Sequence, residues 1–250
     1  MTKTYFFTLT ILIALLCSCT QESPEVTEAK SGFYLNIDEN NAVTSRSIPK
    51  DLTVPTPSMC KLRIVNNATG YVAYEGKYKQ FVEAGNGTYT ITATYGEDYP
   101  VAIDKPYYKG SAEATIDKNN TTPSVAVTCK IANALASFVY LDNSNTPQEN
   151  TSVFDKYFTD YGVQGWHGEQ YVTVMQGTTH SAYFRTDIKP VFKFVGKRKD
   201  NGATVSVTIP TDNMPTVEPA CHYIMRMQFK VTGEVIAIID KEYADNSDCL

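Results

Sequence analysis

From residue 33 onward, apolar and polar residues alternate in short runs broken by Gly, Asn, Asp and Pro, the period-two trace of half-buried strands. Phe33, Leu35 and Ile37 alternate with Tyr34, Asn36 and Asp38, and Cys60, Leu62 and Ile64 alternate with Lys61 and Arg63. Residues 66–70 (Asn-Asn-Ala-Thr-Gly) then turn the chain into 71–75, which predicts a hairpin. The clearest strand is 88–95, with Tyr89, Ile91, Ala93 and Tyr95 on one face and four threonines on the other. Further strands are predicted at 112–116 and 125–130, with 131–140 leading out of this first group and 142–151 reading as a polar loop.

One stretch departs from the alternation. Val153, Phe154, Tyr157, Phe158 and Tyr161 share a helical face, so a short helix is expected over 152–161, with Ser152 and Asp155 as its capping box. Strand rhythm returns at 171–175, 181–185, 191–195 and 204–209, and Asp200-Asn201-Gly202 predicts a hairpin turn between the last two. In 221–231, Cys221, Tyr223, Met225, Met227, Phe229 and Val231 occupy alternate positions. The nearly unbroken apolar run 235–239 reads as a central strand. The expectation is an all-β chain of two consecutive Ig-like β-sandwich modules, 32–140 and 141–245, with one short helix near 152–161.

Composition agrees and removes one class of partner. In 250 residues, 42% are hydrophobic and 20% charged, enough apolar material for packed cores. A net charge of −5 provides no basic field to hold a phosphate backbone, so nucleic acid is excluded as an expected partner.

The first residues follow a different logic. Lys3 precedes an apolar stretch over 5–16, the size of a signal-peptide core and shorter than the ~20 residues a membrane-spanning helix needs. Leu16-Cys17-Ser18-Cys19 resembles a bacterial lipobox: a branched apolar residue, then a small residue, then the Cys that is lipidated. The resemblance implies a signal peptide over 1–18, cleavage between Ser18 and Cys19, and acyl chains such as palmitate on Cys19. Several buried acyl chains anchor stably where one does not. Residues 19–31 read as a flexible tether holding Glu22, Glu25 and Glu28, which resembles the surface-export signal of Bacteroidetes lipoproteins with its acidic residues spread out.

Three segments carry a wider resemblance: Gly87-Thr88-Tyr89-Thr90-Ile91-Thr92-Ala93-Thr94-Tyr95-Gly96, Pro106-Tyr107-Tyr108-Lys109-Gly110-Ser111, and Val127-Thr128-Cys129-Lys130-Ile131-Ala132-Asn133-Ala134. Through them the chain resembles the Bacteroidetes lipoprotein family filed as domain of unknown function 4493, distantly similar in plan to fimbrillin-like surface proteins. The resemblance implies a cell-surface, non-enzymatic setting. Fimbrillin-type subunits mature by cleavage after an early Arg, which frees a groove for a neighbour's strand; Arg46 in Thr44-Ser45-Arg46-Ser47-Ile48-Pro49 is a candidate for that cut. The chain stops soon after Asp240, which implies that a further C-terminal domain of longer relatives is absent.

Candidate chemistry is sparse. His167, His180 and His222 lie on separate segments without ligand spacing, so neither a metal site nor a cofactor is expected. No nucleophile elbow, phosphate loop or zinc-protease pattern occurs, and the expectation is that the protein is not an enzyme. Asp142-Asn143-Ser144-Asn145 begins like a calcium loop but lacks its later Gly and Glu, and reads as a plain loop. Cys60, Cys129 and Cys221 fall on inward faces, and Cys249 lies in the tail. Cys60 with Cys129 is the disulfide pair to test, with small buried thiols as the alternative.

Tyr99, Tyr107 and Tyr108, in a long loop, together with Trp166 and Tyr95, are the candidate recognition surface. Exposed rings stack on sugar faces while Asp98, Asp104 and Lys109 supply hydrogen bonds; the same rings would equally serve to close the end of a sandwich. Lys197-Arg198-Lys199 reads as a solvated hairpin tip. The expected function is that of a lipid-anchored outer-membrane protein exposed at the cell surface, acting in adhesion or as an accessory subunit of a fimbria-like assembly. The alternative is a lipoprotein that binds host or dietary glycan through 99–109.

Overall fold

A computed structural model describes residues 30–38, 55–144, 146–187, 189–210, 216–230 and 234–243. Ser18, Cys19, Arg46, Cys249 and most of the tether lie outside the described residues.

Alternating runs become strands wherever their apolar face finds an opposing sheet. β1 (Gly32–Asp38) runs between β4 (Phe81–Glu83) and β8 (Ser124–Thr128), antiparallel to the first and parallel to the second. The facing sheet has the order β3 (Val72–Lys77), β2 (Lys61–Asn66), β5 (Gly87–Tyr95), β7 (Tyr108–Ile116) and β9 (Lys130–Ile131). Phe33, Leu35 and Ile37 from one sheet meet Leu62, Ile64, Tyr89 and Ile91 from the other, all buried, to form the first core.

The second core lies between two further sheets. One has the order β17 (Val235–Tyr243), β16 (Cys221–Phe229), β10 (Ala134–Leu141), β13 (Ala182–Phe184) and β6 (Val101–Ile103). The other has the order β12 (Gln170–Met175), β11 (Phe158–His167), β14 (Val191–Arg198) and β15 (Thr204–Thr208). Phe184, Phe192, Phe194, Tyr223, Met225 and Met227 fill the space between them. The chain is an all-β protein of sandwich type.

Four expectations are corrected. The helix, α1, spans Ser152–Tyr157 and not 152–161, because Phe158 and Tyr161 are taken into β11, where Phe158 sits opposite Arg198 on β14. Its first residue follows Thr151, whose hydroxyl bonds Asp155 at 2.5 Å, so Thr151 and not Ser152 partners that carboxylate. The run 235–239 belongs to an edge strand, and Ile238 is exposed. Residues 134–141 do not lead out of the first module; they form a middle strand of the second core's sheet, so the chain crosses at Ala132–Asn133 and not near 141.

The fourth correction concerns the loop read over 99–109. Its centre is β6, which pairs with β13 and so adds a strand from the first half of the chain to the second core's sheet. Val101 is buried in that second core, while Tyr108, seven residues on, is buried in the first.

Candidate functional site

The segment from Tyr99 to Lys109 is held by polar clamps at both ends. Asp104 takes a left-handed backbone conformation (φ 51°) at the end of β6. Its amide donates to the Ser181 carbonyl at 3.0 Å, its Oδ1 accepts from the Ser181 amide at 2.9 Å, and its Oδ2 lies 2.5 Å from His180 Nδ1. At the far end Asn133, buried between the two cores' strands, donates from Nδ2 to the Lys105 carbonyl at 3.0 Å. Its Oδ1 accepts from the Tyr107 amide at 3.1 Å. Backbone groups turned from water must find partners, and the buried Asn133 amide serves two partly buried ones here.

Of the five rings proposed from sequence, Tyr95 and Tyr108 meet, their centroids 6.0 Å apart. Tyr99 is 48% exposed in the turn after β5, and Tyr107 is half-buried beside the Asn133 clamp. Tyr108 is 2% exposed; burial, followed by Tyr95 nearby, pushes its phenol up to about 12. It is a core residue and has no ring face to give a ligand. Trp166 is on the outer face of β11, with the ring of Tyr171 stacked on it at 4.3 Å and the Lys193 ammonium 4.2 Å from its ring centre. Tyr171 is exposed, so this pair is the aromatic surface that the second sandwich presents to solvent. Tyr171 was missed in the sequence because only strand register, Trp166 opposite Tyr171, places the rings together.

Two polar groupings join residues distant in sequence. His167, buried at the end of β11, has Nε2 2.8 Å from Asp187 Oδ1, and Arg185 reaches Asp187 Oδ2 at 2.8 Å. An ionised carboxylate only accepts, so His167 Nε2–H donates. The Arg185 guanidinium first, and the His167 hydrogen bond after it, hold the Asp187 carboxyl down at about 2. A folded-state value below the ordinary ~3.9 stabilises the fold above about pH 4, and this contribution is lost as pH falls toward about 2. Carbon-13 NMR of the Asp187 carboxyl is expected to show a midpoint near 2, and Asp187→Asn to remove that part of the acid sensitivity. A midpoint near ~3.9 would show that the pairing fails in solution.

The second grouping is Ser137 on β10, whose hydroxyl is 2.7 Å from His222 Nε2 on β16. Ser137 lines a polar cavity of about 580 Å³ together with Thr151, Gln176, Thr178, His180 and Ser181. A second cavity, about 630 Å³, has Tyr157, Phe158, Phe194 and Phe229 on its walls and Lys156 and Arg198 among its polar side chains. Among the described residues no three His, Cys, Asp or Glu side chains are grouped to hold a metal ion.

In the first core Cys60 and Cys129 are both buried thiols, donating to the Thr56 and Ala93 carbonyls at 3.7 Å each; Cys221 is a third buried thiol, in the second core. The hairpin tip read at 197–199 is found, with Arg198 bonded to Asp200 and Gly202 at φ 70° closing the turn.

Residues 32–246 match the sequence model of a family described as Domain of unknown function (DUF4493). The chain belongs to that family. No curated protein matches it. Among solved structures it is similar to a candidate cell adhesion protein from Bacteroides eggerthii, with a TM-score of 0.51 and 11% identity over 86% of this chain and 96% of that one. It is also similar to a fimbrial assembly protein from Parabacteroides distasonis, with a TM-score of 0.50 and 9% identity over 86% of this chain and 98% of that one. At such identities the likeness is one of fold, and the fold of this DUF4493 member is shared along nearly the whole length of both proteins.

Proposed function

We propose that this DUF4493 protein is anchored by lipid at Cys19, stands on the outer face of the cell envelope, and acts through binding rather than catalysis, in adhesion or as an accessory subunit of a fimbria-like assembly. The observation that carries this reading is the seat of β1. Its inward residues Phe33, Leu35 and Ile37 are 0%, 4% and 3% exposed, and ladders run along both of its sides. The Tyr78 hydroxyl also donates to the Leu35 carbonyl at 2.8 Å. A strand so held fills a slot that any extended segment of the same alternation would fit, which is how one subunit's strand completes another's sheet.

The slot lies close to the features read from sequence. The lipobox Cys19 precedes β1, and Arg46 follows it, so a cut after Arg46 would leave β1, and with it the lipid anchor, held to the body by its two ladders and core contacts, as an exchangeable strand must be. The fold shared with a cell adhesion candidate and a fimbrial assembly protein supports the same reading.

Labelling of growing cells with a palmitate analogue tests the anchor. The wild-type protein is expected to carry the label, to sediment with the envelope and to be removed by protease added to intact cells. Cys19→Ser is expected to lose both label and sedimentation. Label retained by Cys19→Ser, or full protection of the wild type from protease, would overturn the anchor or the exposure respectively.

A further inference from the structure

Cys60 and Cys129 are about 70 residues apart in sequence, and the first core buries both, Cys60 Sγ 3.7 Å from the Thr56 carbonyl and Cys129 Sγ 3.7 Å from that of Ala93, with each thiol the other's principal electrostatic neighbour. Cys60 leads into β2 beside β5, where Lys61 pairs with Thr94. Cys129 sits at the bend between β8 and β9, and its Sγ lies 3.7 Å from the Ala93 carbonyl of β5. Gly110 of β7 makes the bend possible: a Cβ there would lie 2.2 Å from the Thr128 carbonyl oxygen and 3.1 Å from the Cys129 Cα. Cys60 is 1% and Cys129 7% exposed, so both thiols lie inside the same closed core.

We propose that Cys60 and Cys129 form a disulfide in the folded protein, fastening the start of β2 to the bend where the chain passes from one sheet of the first sandwich to the other. The bond rests on the envelope location proposed above, because an oxidising compartment is what makes such a bond persist. Its place in the fold gives it a use. Among the described residues β8 is an edge strand whose one ladder is with β1, and beyond the bend β9 pairs with β7 over two residues. With β1 displaced, the disulfide would hold this side of the slot to the larger sheet.

The chemistry balances with a protein disulfide of an envelope thiol oxidoreductase as acceptor. One thiolate attacks that disulfide, giving a mixed disulfide and one thiol of the acceptor. The second thiolate then displaces the acceptor's remaining sulfur, so the S–S bond forms, two electrons pass to the acceptor and two protons are released and taken up. Both groups being buried, the exchange occurs before the core closes around them.

The test uses the whole mature chain, refolded in mixtures of oxidised and reduced glutathione, quenched in acid, alkylated under denaturing conditions and digested. A linked peptide pair containing Cys60 and Cys129 is expected, lighter by two hydrogens than the separate thiol peptides, while Cys221 is recovered alkylated. Reduction with dithiothreitol is expected to lower the thermal midpoint of the wild type by about 5 to 10 °C, as for a disulfide closing a loop of this length. Complete alkylation of both cysteines in oxidised glutathione, or a midpoint unmoved by dithiothreitol, would overturn the proposal without any variant having to fold. Protein trapped by alkylation in native envelopes gives a separate answer. A pair that links in vitro but is recovered as thiols from cells would overturn the envelope reading and leave the pairing intact.

Discussion

Phe154→Ala is expected to lower the unfolding free energy by about 3–5 kcal/mol, the largest single effect in the second core. Phe154 is the one buried residue of α1 and is 0% exposed. Its ring meets Tyr140 edge-on at 5.0 Å, stacks with Tyr161 at 5.6 Å, and touches Phe194 and Phe229 at 5.7 and 6.0 Å. These partners come from β10, β11, β14 and β16, so truncation leaves a cavity bordered by four strands that cannot all move inward. Urea unfolding followed by circular dichroism measures the loss. Tyr157→Ala, three residues along the same helix at a position 44% exposed, is the control and should cost under about 1 kcal/mol. Equal losses at the two positions would mean that α1 is not held by its buried ring.

Asn133→Ala is the second, with an expected loss of about 2–4 kcal/mol. The cost is not the side chain's own burial. Removing the amide leaves the Tyr107 N–H and the Lys105 carbonyl without their partner at a site where Asn133 itself is 4% exposed, and each orphaned group costs about 1–3 kcal/mol. The main chain of Asn133 also accepts from the Ala220 amide at 3.1 Å, so the residue ties the loop 105–107 to the entry of β16. Asn133→Asp retains an acceptor for Tyr107 but loses the donor to Lys105 and buries a charge, and is expected to be no better than Ala. Trypsin nicking after Lys109 should quicken in both variants. An unchanged nicking rate with unchanged stability would show that the clamp carries no load.

The contrast between these two residues explains what the sequence made legible. Phe154 announced itself, because an apolar residue at helical spacing has one common meaning. Strands such as β1, β2, β5 and β16 were equally readable from period-two alternation, and the inward phase of Cys60 and Cys129 put both thiols in one core before any coordinates. Asn133 gave no such signal, since a single buried amide looks like any loop Asn until the chain segments that it joins are known.

β6 was hidden for a related reason. Val101-Ala102-Ile103 is too short to show alternation, and it becomes a strand only because β13 offers an edge. Phe158 and Tyr161 kept helical spacing while serving β11, an overlap of the two periods that local pattern cannot resolve. Tyr107 and Tyr108 are adjacent in sequence, but Tyr107 lies beside the Asn133 clamp just before β7, whereas Tyr108 opens β7 and faces the core.

The seat of β1 has a mechanical consequence. Were Cys19 to carry the anchor, any pull on the body from outside the cell would reach the membrane through the residues before Gly32 and enter the fold along the axis of β1. Because β1 is flanked by a ladder on each side, such tension loads many hydrogen bonds together in shear instead of peeling them one by one. Shear across two ladders resists rupture far better than unzipping, so the strand best placed to be exchanged is also the one suited to bear the weight of whatever the cell holds on to.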